Sequence, residues 1–517
     1  MLRRILQFGF LAVACLALCS VSGWAEVRVN ALFADNMVLQ RSIKAPVWGT
    51  ADPGEEVTVT LGHQKATATA DAQGRWRAEL APMPAGGPFE MTVAGKNTLT
   101  IRNVVVGEVW ICSGQSNMEM AVTNGPTWWG GVRNAEQEVA SANYPMFRHF
   151  GVKKAVAGKP QTDVEGQWLV ASPQTAGQFT AVGYFFGREI HRKLGVPVGL
   201  IHTSWGGTPA EAWTSHGSLG GDAALASIVS DWEKKLADYP AQLEKYRHEL
   251  DDWTRAAQQA EADGRAAPRP PEFPEDPHSS PWRASGLFNA MIAPLIPYGI
   301  RGAIWYQGEA NADRAEQYRK LFPAMIGNWR RAWGEGDFPF LFVQLAGFEE
   351  SGTWPELREA QAMTLSLPKT GMAVAADIGE RYDIHPKNKQ EVGRRLALAA
   401  EAIAYGKNIE YSGPVYDRMK VEGNHVTLQF KRRGGGLVVR GRSLSGFEIA
   451  GDDRKFVPAD AQIQGGNVVA SSPKVAKPVA VRYAWRDFPE CSLYNKAGLP
   501  APPFRTDDWP AAKPEKK

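Results

Sequence analysis

The pattern of hydrophobic and polar positions changes twice along the chain. From residue 26 to about 104, short alternating runs such as VTVT at 57–60 are separated by turn signals such as DPG at 52–54, which predicts short β-strands. From 105 to about 410, apolar runs alternate with longer segments of helical periodicity. The period-2 pattern returns at 411–509, so we expect a β-rich region at each end of a mixed central domain.

The central region has the pattern of a parallel sheet flanked by helices, the α/β class. Each apolar run is followed by a segment with helical spacing before the next run begins. The predicted strands are residues 104–112, 196–204, 300–306, 338–345 and 372–377, and the predicted helices are 181–194, 316–333 and 389–405.

Two further segments complete the predicted domain organisation. Residues 226–282, which are charged and then proline-rich, are interpreted as a surface insertion into the central domain, with a helical first part. The predicted divisions are a β-sandwich-like domain at 26–104, a catalytic α/β domain at 105–410, a β-rich region at 411–509 and a loose tail at 510–517.

The first 25 residues have the features of a secretory signal peptide. Arg3 and Arg4 precede an apolar run at 5–21, and Ala25 ends a small-residue cleavage pattern. The run is short for a membrane-spanning helix of about 20 residues. We therefore expect a secreted or periplasmic protein, cleaved after Ala25 and without stable membrane insertion.

Composition excludes several classes of function. With 58 Lys and Arg against 55 Asp and Glu, the formal charge of +3 gives no general electrostatic reason to bind nucleic acid. After signal cleavage only Cys112 and Cys491 remain, too few for a disulfide scaffold or a cysteine metal cluster, and their pairing is left open. No HExxH motif occurs, so no metal is expected.

Ser116 lies just after the predicted strand that ends at Cys112. A serine at such a turn, with backbone N–H groups nearby, has the placement of a nucleophile at the carboxyl edge of an α/β sheet. The alternative is a helix capping box, in which Ser116 and Glu119 only satisfy backbone donors. This segment lacks the second glycine of the GxSxG elbow, which argues against an ordinary α/β-hydrolase.

A second loop follows the predicted strand at 196–204. Thr208 as N-cap, Pro209 at the first helical position and Glu211 predict the start of a helix here. That start leaves the N–H groups of Gly206 and Gly207 as candidates for holding an oxyanion. Paired glycines that only make a tight turn are the alternative.

Polar side chains also follow two further predicted strands. Gln307, Glu309 and Asn311 come after the strand at 300–306 and offer amide donors and a carboxylate. His385 comes after the last strand with Asp383 two residues before it, which is the combination of a general base and the acid that orients it. A histidine in a loop is more often a surface residue, but the joint pattern favours catalysis.

Four of these segments resemble a known family. GEVWICSGQSNMEM, SWGGTPAEAW, WYQGEANA and DIHPKNKQEVGRRLA look like the motifs of the sialate O-acetylesterase family, a branch of the SGNH (GDSL-like) hydrolases. The resemblance spans about 107–398, and FPECSLYNKAGLPAPPFRTDDW near the end is also similar to that family. It implies an SGNH-like parallel sheet and a carbohydrate acetylesterase that needs no cofactor.

The resemblance also implies roles for individual residues. Ser116 is the implied nucleophile and His385 the implied base, and the oxyanion is implied to be held by the Ser116 N–H, the glycine pair of the second loop and Gln307. The wider SGNH pattern has its acid three residues before the histidine, where this chain has Tyr382. Asp383 is therefore our candidate acid, with Asp377 and Glu309 as the alternatives.

Two other functions stay open at this point. The substrate of such an esterase is either an acetylated sialic acid or another acetylated glycan such as xylan or xyloglucan. A carbohydrate-binding protein without catalysis is the alternative from another class, in which Ser116 is only a helix cap. Trp205, Trp213 and Tyr306 are candidate walls for a sugar.

Overall fold

The computed structural model describes residues 26–123, 130–349 and 352–510. The predicted signal peptide at 1–25 and residues 511–517 of the predicted tail lie outside this part of the chain. Among the described helices, none has both the length and the apolar composition needed to cross a bilayer.

The first β-rich region consists of short strands that bury every second residue. In the strand at Arg75–Leu80, for example, Trp76, Ala78 and Leu80 are buried and their neighbours are exposed, as the period-2 pattern predicts. The strands are β1 (Arg28–Val29), β2 (Val38–Gln40), β3 (Ala45–Thr50), β4 (Glu56–Leu61), β5 (Gln64–Thr69), β6 (Arg75–Leu80) and β7 (Gly86–Ala94).

The central sheet is mixed but mostly parallel. Its strands are β8 (Thr98–Gly114), β9 (Tyr144–Val152), β10 (Gly166–Ala171), β11 (Val198–Ser204), β12 (Gly302–Tyr306), β13 (Phe340–Gln344) and β14 (Thr370–Val374). The order is β10-β9-β11-β8-β12-β13-β14, and only β10 runs antiparallel to its neighbour on this path. The predicted α/β architecture is confirmed at this level.

Strand β8 connects the first region to the central sheet. It pairs with β7 near its start and with β11 and β12 near its end. The predicted boundary after residue 104 therefore falls inside one continuous strand. Buried side chains from both sides of that boundary, such as Val59 and Ile111, belong to one hydrophobic core.

Eight α-helices accompany the described strands: α1 (Ser116–Glu119), α2 (Ala135–Ala140), α3 (Ala181–Leu194), α4 (His216–Gly220), α5 (Ala226–Ala262), α6 (Ala315–Trp333), α7 (Trp354–Met363) and α8 (Lys389–Ile403). Helix α3 begins after Thr180, whose hydroxyl accepts the Gly183 N–H. Helix α5 forms most of the charged segment at 226–282, and of its 37 residues only Val229 and Ala260 are buried.

The second β-rich region has its own core. Val426, Phe447 and Tyr483 lie in a hydrophobic cluster separate from the central one. No described strand of this region pairs with the first β-rich region. The strands are β15 (Val415–Glu422), β16 (His425–Lys431), β17 (Leu437–Val439), β18 (Phe447–Ala450), β19 (Val457–Pro458), β20 (Asp460–Gln464), β21 (Asn467–Ser471), β22 (Ala480–Tyr483), β23 (Leu493–Asn495) and β24 (Phe504–Arg505).

Candidate active site

Ser116 is the first residue of α1, directly beyond the end of β8. Gly114 makes this turn possible: its φ is 141°, and a Cβ there would lie 2.1 Å from the carbonyl oxygen of Tyr306 on β12. Gln115 occupies the N-cap position, and no side chain caps the helix. The capping-box interpretation of Ser116 is therefore wrong, because the hydroxyl group points to another partner.

That partner is His385, in the loop between β14 and α8. The Ser116 Oγ lies 2.8 Å from the His385 Nε2, although the residues are 269 positions apart in the chain. Both residues are buried, with exposed fractions of 9% and 7%. A hydroxyl within hydrogen-bond distance of an imidazole is the geometry of a serine nucleophile and its base.

The electrostatic surroundings keep the His385 imidazole neutral. Burial and, to a lesser degree, the positive charge of Lys389 together lower the pKa of His385 to about 4, and Asp383 opposes both effects. An imidazole with this pKa is unprotonated at neutral pH and can accept a proton from the serine hydroxyl.

The three candidate acids have different environments. The Asp383 Oδ1 lies 3.8 Å from the His385 Nδ1 and accepts the His385 backbone N–H at 2.9 Å. Asp377 instead binds the guanidinium group of Arg395 at 2.6 and 2.8 Å. Glu309 accepts a hydrogen bond from Asn117 at 2.6 Å. The Asp383 carboxylate therefore lies within ion-pair distance of the His385 ring.

The Gly206–Gly207 turn lies beside Ser116, but the Gly206 N–H is already bonded. A Cβ on Gly206 would lie 3.3 Å from the Ser116 Cβ. The Gly206 N–H donates to the Glu119 Oε2 at 2.6 Å, and the other oxygen of Glu119 accepts from Lys154 at 2.6 Å. The expectation that this N–H is open to an oxyanion is corrected here, because Glu119 occupies it.

The helix predicted to follow this turn is shorter than expected. It is a 3-10 helix at Ala210–Trp213, and Pro209 precedes it in an extended conformation. The Thr208 hydroxyl donates to the Trp205 carbonyl at 2.7 Å instead of capping the helix. The predicted N-cap at Thr208 is therefore wrong.

Gln307 and Asn311 form hydrogen bonds to the residues that follow the glycine turn. Both are fully buried. The Gln307 amide donates to the Asn311 Oδ1 at 2.6 Å and to the Thr208 carbonyl at 3.3 Å, and the same Asn311 oxygen accepts the Ala210 N–H at 2.9 Å. The prediction that their amides face a substrate is corrected, because the adjoining loops occupy these groups.

Asn117 and Lys389 are two residues of the site that sequence reasoning missed. The Asn117 amide donates to Glu309 at 2.6 Å and to the Ile384 carbonyl at 2.9 Å, and its Oδ1 accepts from Lys389 at 2.5 Å. Burial lowers the pKa of Lys389 to about 7 and raises the pKa of Glu309. The available signal was position: Asn117 follows the candidate serine, and Lys389 comes four residues after the candidate histidine.

The aromatic residues proposed as sugar walls are mostly core. Trp213 and Tyr306 are fully buried, so they present no face to a ligand. Trp205 is only partly buried, and the Lys154 amine lies 5.3 Å from its ring centre.

Cys112 and Cys491 are both free thiols in this structure. The described residues contain no group of His, Cys, Asp and Glu arranged to hold a metal.

Comparison with known proteins identifies the family. The sialate O-acetylesterase of Rattus norvegicus is 33% identical over 92% of this chain and 93% of its own length, and that of Homo sapiens is 32% identical over 92% of each. The chain belongs to the sialate O-acetylesterase family. A profile of that family, described as "Carbohydrate esterase, sialic acid-specific acetylesterase", matches residues 281–402. Membership places the chain among the carboxylic ester hydrolases.

A solved structure agrees with this family. A carbohydrate acetylesterase from Xanthomonas citri is 39% identical, with a TM-score of 0.79, and the similarity covers 94% of this chain and all of that one. The resemblance inferred from the four motifs is thereby confirmed.

Proposed function

We propose that this protein removes O-acetyl groups from carbohydrates through an acetyl-enzyme formed on Ser116. The observation that carries the proposal is the 2.8 Å contact between the Ser116 Oγ and the His385 Nε2. It lies beyond the carboxyl ends of β8 and β14, where open α/β sheets place their active sites. A carbohydrate-binding protein without catalysis is disfavoured, because Ser116 is not a helix cap.

In the first half of the reaction, the Ser116 oxygen attacks the ester carbonyl carbon as its proton passes to the His385 Nε2. The bond between that carbon and the sugar oxygen breaks, and His385 returns the proton to the leaving hydroxyl group. In the second half, His385 takes a proton from water, the hydroxide attacks the acetyl carbon and Ser116 leaves with the proton. The products are the free sugar hydroxyl and acetic acid, and no cofactor is consumed.

The remaining groups would orient and stabilise these steps. Asp383 favours the protonated form of His385 that forms during attack. The oxyanion is held by the backbone N–H groups of Ser116 and Gly207. The Gly206 N–H is not part of this proposal, since it is bonded to Glu119. Gln307 is not part of this proposal, since its amide is bonded to Asn311 and Thr208.

The proposed SGNH-type sheet, cellular location and substrate rest on sequence features and on the relatives. The four motifs support an SGNH-type arrangement of the catalytic sheet, and the features of residues 1–25 support secretion or a periplasmic location. The names of the relatives support either a sialate O-acetyl group or an acetyl group on another carbohydrate as the substrate.

Acetate release from 4-nitrophenyl acetate and from a panel of acetylated glycans tests this function. We expect turnover by the wild-type protein and by Ser113→Ala, which removes a buried hydroxyl from the adjoining strand, and a loss of several orders of magnitude in Ser116→Ala. Equal activity of Ser116→Ala and wild type, or no activity in any sample, would overturn the proposal.

A further inference from the structure

A cavity of about 630 Å³ adjoins the Ser116–His385 pair. Ile384 and Glu309 line it; Ile384 precedes His385, and Glu309 is hydrogen-bonded to Asn117, the residue after Ser116. Residues of the 226–282 segment also line it. Sites for small organic ligands have volumes of roughly 300–1,000 Å³, so the cavity is large enough for several linked sugar rings.

One face of helix α5 contributes to the lining of the cavity. Ile228, Asp231, Trp232 and Lys235 line the cavity and follow the spacing of a single helical face. Since α5 buries only Val229 and Ala260, packing in the core gives little reason for so long a helix. The wall that it supplies to this cavity gives a reason for its first part, up to Lys235.

Trp282 gives the cavity an accessible aromatic surface. It lines the cavity and is 48% exposed, which is unusual for a tryptophan. Its ring is therefore open to a ligand in the cavity. The apolar face of a pyranose can stack on such a ring.

The charges of the cavity disfavour an anionic sugar. Its lining contains four carboxylates and two cations, namely Glu211, Asp231, Glu309, Asp313, Lys235 and Arg314. The Arg314 guanidinium is bonded to Glu211 at 2.6 Å, and the Lys235 amine lies 4.8 Å from the Trp232 ring centre. Even without Glu309, whose pKa is raised by burial, three carboxylates and two cations line the cavity. A carboxylate on the ligand would therefore gain no net attraction, whereas a neutral sugar would meet hydrogen-bonding groups.

We infer that this cavity binds the sugar chain next to the acetylated residue, and that this chain is a neutral oligosaccharide. The inference rests on the proposed acetylesterase function, because it places the acetyl group at Ser116 and the chain against α5 and Trp282. It assigns a binding role to the 226–282 segment and selects among the carbohydrates that an acetylesterase of this family could use.

The test compares Trp282→Ala with Phe273→Ala. Phe273 is an exposed aromatic residue of the same segment that does not line the cavity. On acetylated xylo-oligosaccharides we expect Trp282→Ala to lower kcat/KM by about tenfold or more, chiefly through KM, since a lost stacking contact weakens binding. Phe273→Ala should match wild type on both substrates. The loss in Trp282→Ala should be larger on the oligosaccharide than on 4-nitrophenyl acetate, because that ester has no sugar chain.

Failure of the cavity assignment and failure of the proposed function give different results. Serine-dependent hydrolysis of 4-nitrophenyl acetate with no effect of Trp282→Ala on the oligosaccharide would overturn the cavity assignment and leave the esterase intact. A higher kcat/KM on an O-acetylated sialoside than on the neutral chain would overturn the charge argument. If no ester is hydrolysed, the proposed function fails. Calorimetry with unacetylated xylohexaose then tests the cavity alone: binding that Trp282→Ala weakens supports it, and no binding by wild type overturns it.

Discussion

The Lys389 amine lies 2.5 Å from the side-chain oxygen of Asn117, the residue that follows Ser116. Both side chains are buried, and the Asn117 amide also bonds the Ile384 carbonyl. This link fixes the serine loop to the histidine loop, and it places a positive charge close enough to His385 to lower the pKa of its imidazole.

The pH profile is the first prediction. His385 acts in its neutral form, and its pKa of about 4 means that kcat/KM should rise with pH through about 4 and stay level above it. In Lys389→Met the charge that depresses this pKa is removed, so the rising limb should move to higher pH. The measurement is kcat/KM on 4-nitrophenyl acetate from about pH 3 to about pH 8, because this range includes both protonation states of the imidazole.

Lys387→Met is the matched control, because Lys387 is in the same loop but its side chain is 46% exposed. Its amine lies 3.8 Å from the Asp383 Oδ2, but its charge is screened by solvent. Its profile should therefore shift less than that of Lys389→Met. A rising limb that stays in place in Lys389→Met would contradict the electrostatic role of Lys389.

Asp383→Asn should lower activity without unfolding the protein. The contact of 3.8 Å to the His385 ring stabilises the imidazolium that forms during attack. We expect kcat on 4-nitrophenyl acetate to fall by about 10²-fold, with a thermal midpoint near that of wild type because Asp383 is partly exposed. An unchanged kcat would remove Asp383 from the catalytic group and return attention to Glu309.

Asp377→Asn should have the opposite effect: it should lower the free energy of unfolding and change kcat only slightly. Asp377 and Arg395 form a pair whose side chains are 4% and 3% exposed, and the Tyr494 hydroxyl also donates to Asp377. Breaking a buried pair on one side costs about 3–5 kcal/mol when the other charge is left uncompensated. Arg395 keeps its second partner, Glu391 at 2.8 Å, so we expect a loss below that range. Urea unfolding measures this loss, and a fully stable variant with strongly reduced kcat would instead make Asp377 the catalytic acid.

Asn311→Ala tests the support of the glycine turn. Its loss leaves the buried Ala210 N–H without its acceptor, which costs about 1–3 kcal/mol. The Gln307 amide loses the shorter of its two hydrogen bonds and keeps the one to the Thr208 carbonyl. We expect lower stability and also lower kcat, because the turn at Gly206 and Gly207 loses its fixed position.

Asn328→Ala is the control for this effect. Asn328 makes a similar pair of hydrogen bonds to Ser215, away from the glycine turn. It should lose stability without a matching loss of kcat in the remaining folded protein. Equal losses of kcat in both variants would show that the activity of Asn311→Ala falls only through unfolding.

The regular elements of the central domain could be predicted because each depends on a local pattern. The run at 300–306 is observed as Gly302–Tyr306, and the helix at 181–194 has the predicted bounds. Apolar runs of this length are buried on both faces of a parallel sheet, so they are evident in the sequence. Ser116 and His385 were identifiable for a related reason, since each follows such a run.

What sequence could not predict depends on contacts between distant segments. Thr208 has the local pattern of an N-cap, but its hydroxyl bonds the Trp205 carbonyl. Gln307 and Asn311 look like open donors until the turn at 206–210 covers them. The continuity of β8 past residue 104 is set by its pairing with β7, β11 and β12, which composition does not reveal.

The most direct test of the central claim is to trap the acetyl-enzyme. The wild-type protein is mixed with excess 4-nitrophenyl acetate, quenched in acid within the first turnovers, digested and examined by mass spectrometry. The account predicts one acetyl group on the peptide that contains Ser116, present in wild type and in Ser113→Ala and absent from Ser116→Ala. Turnover of the ester by Ser116→Ala at the wild-type rate, or a stoichiometric acetyl group on a different residue that turns over, would contradict it.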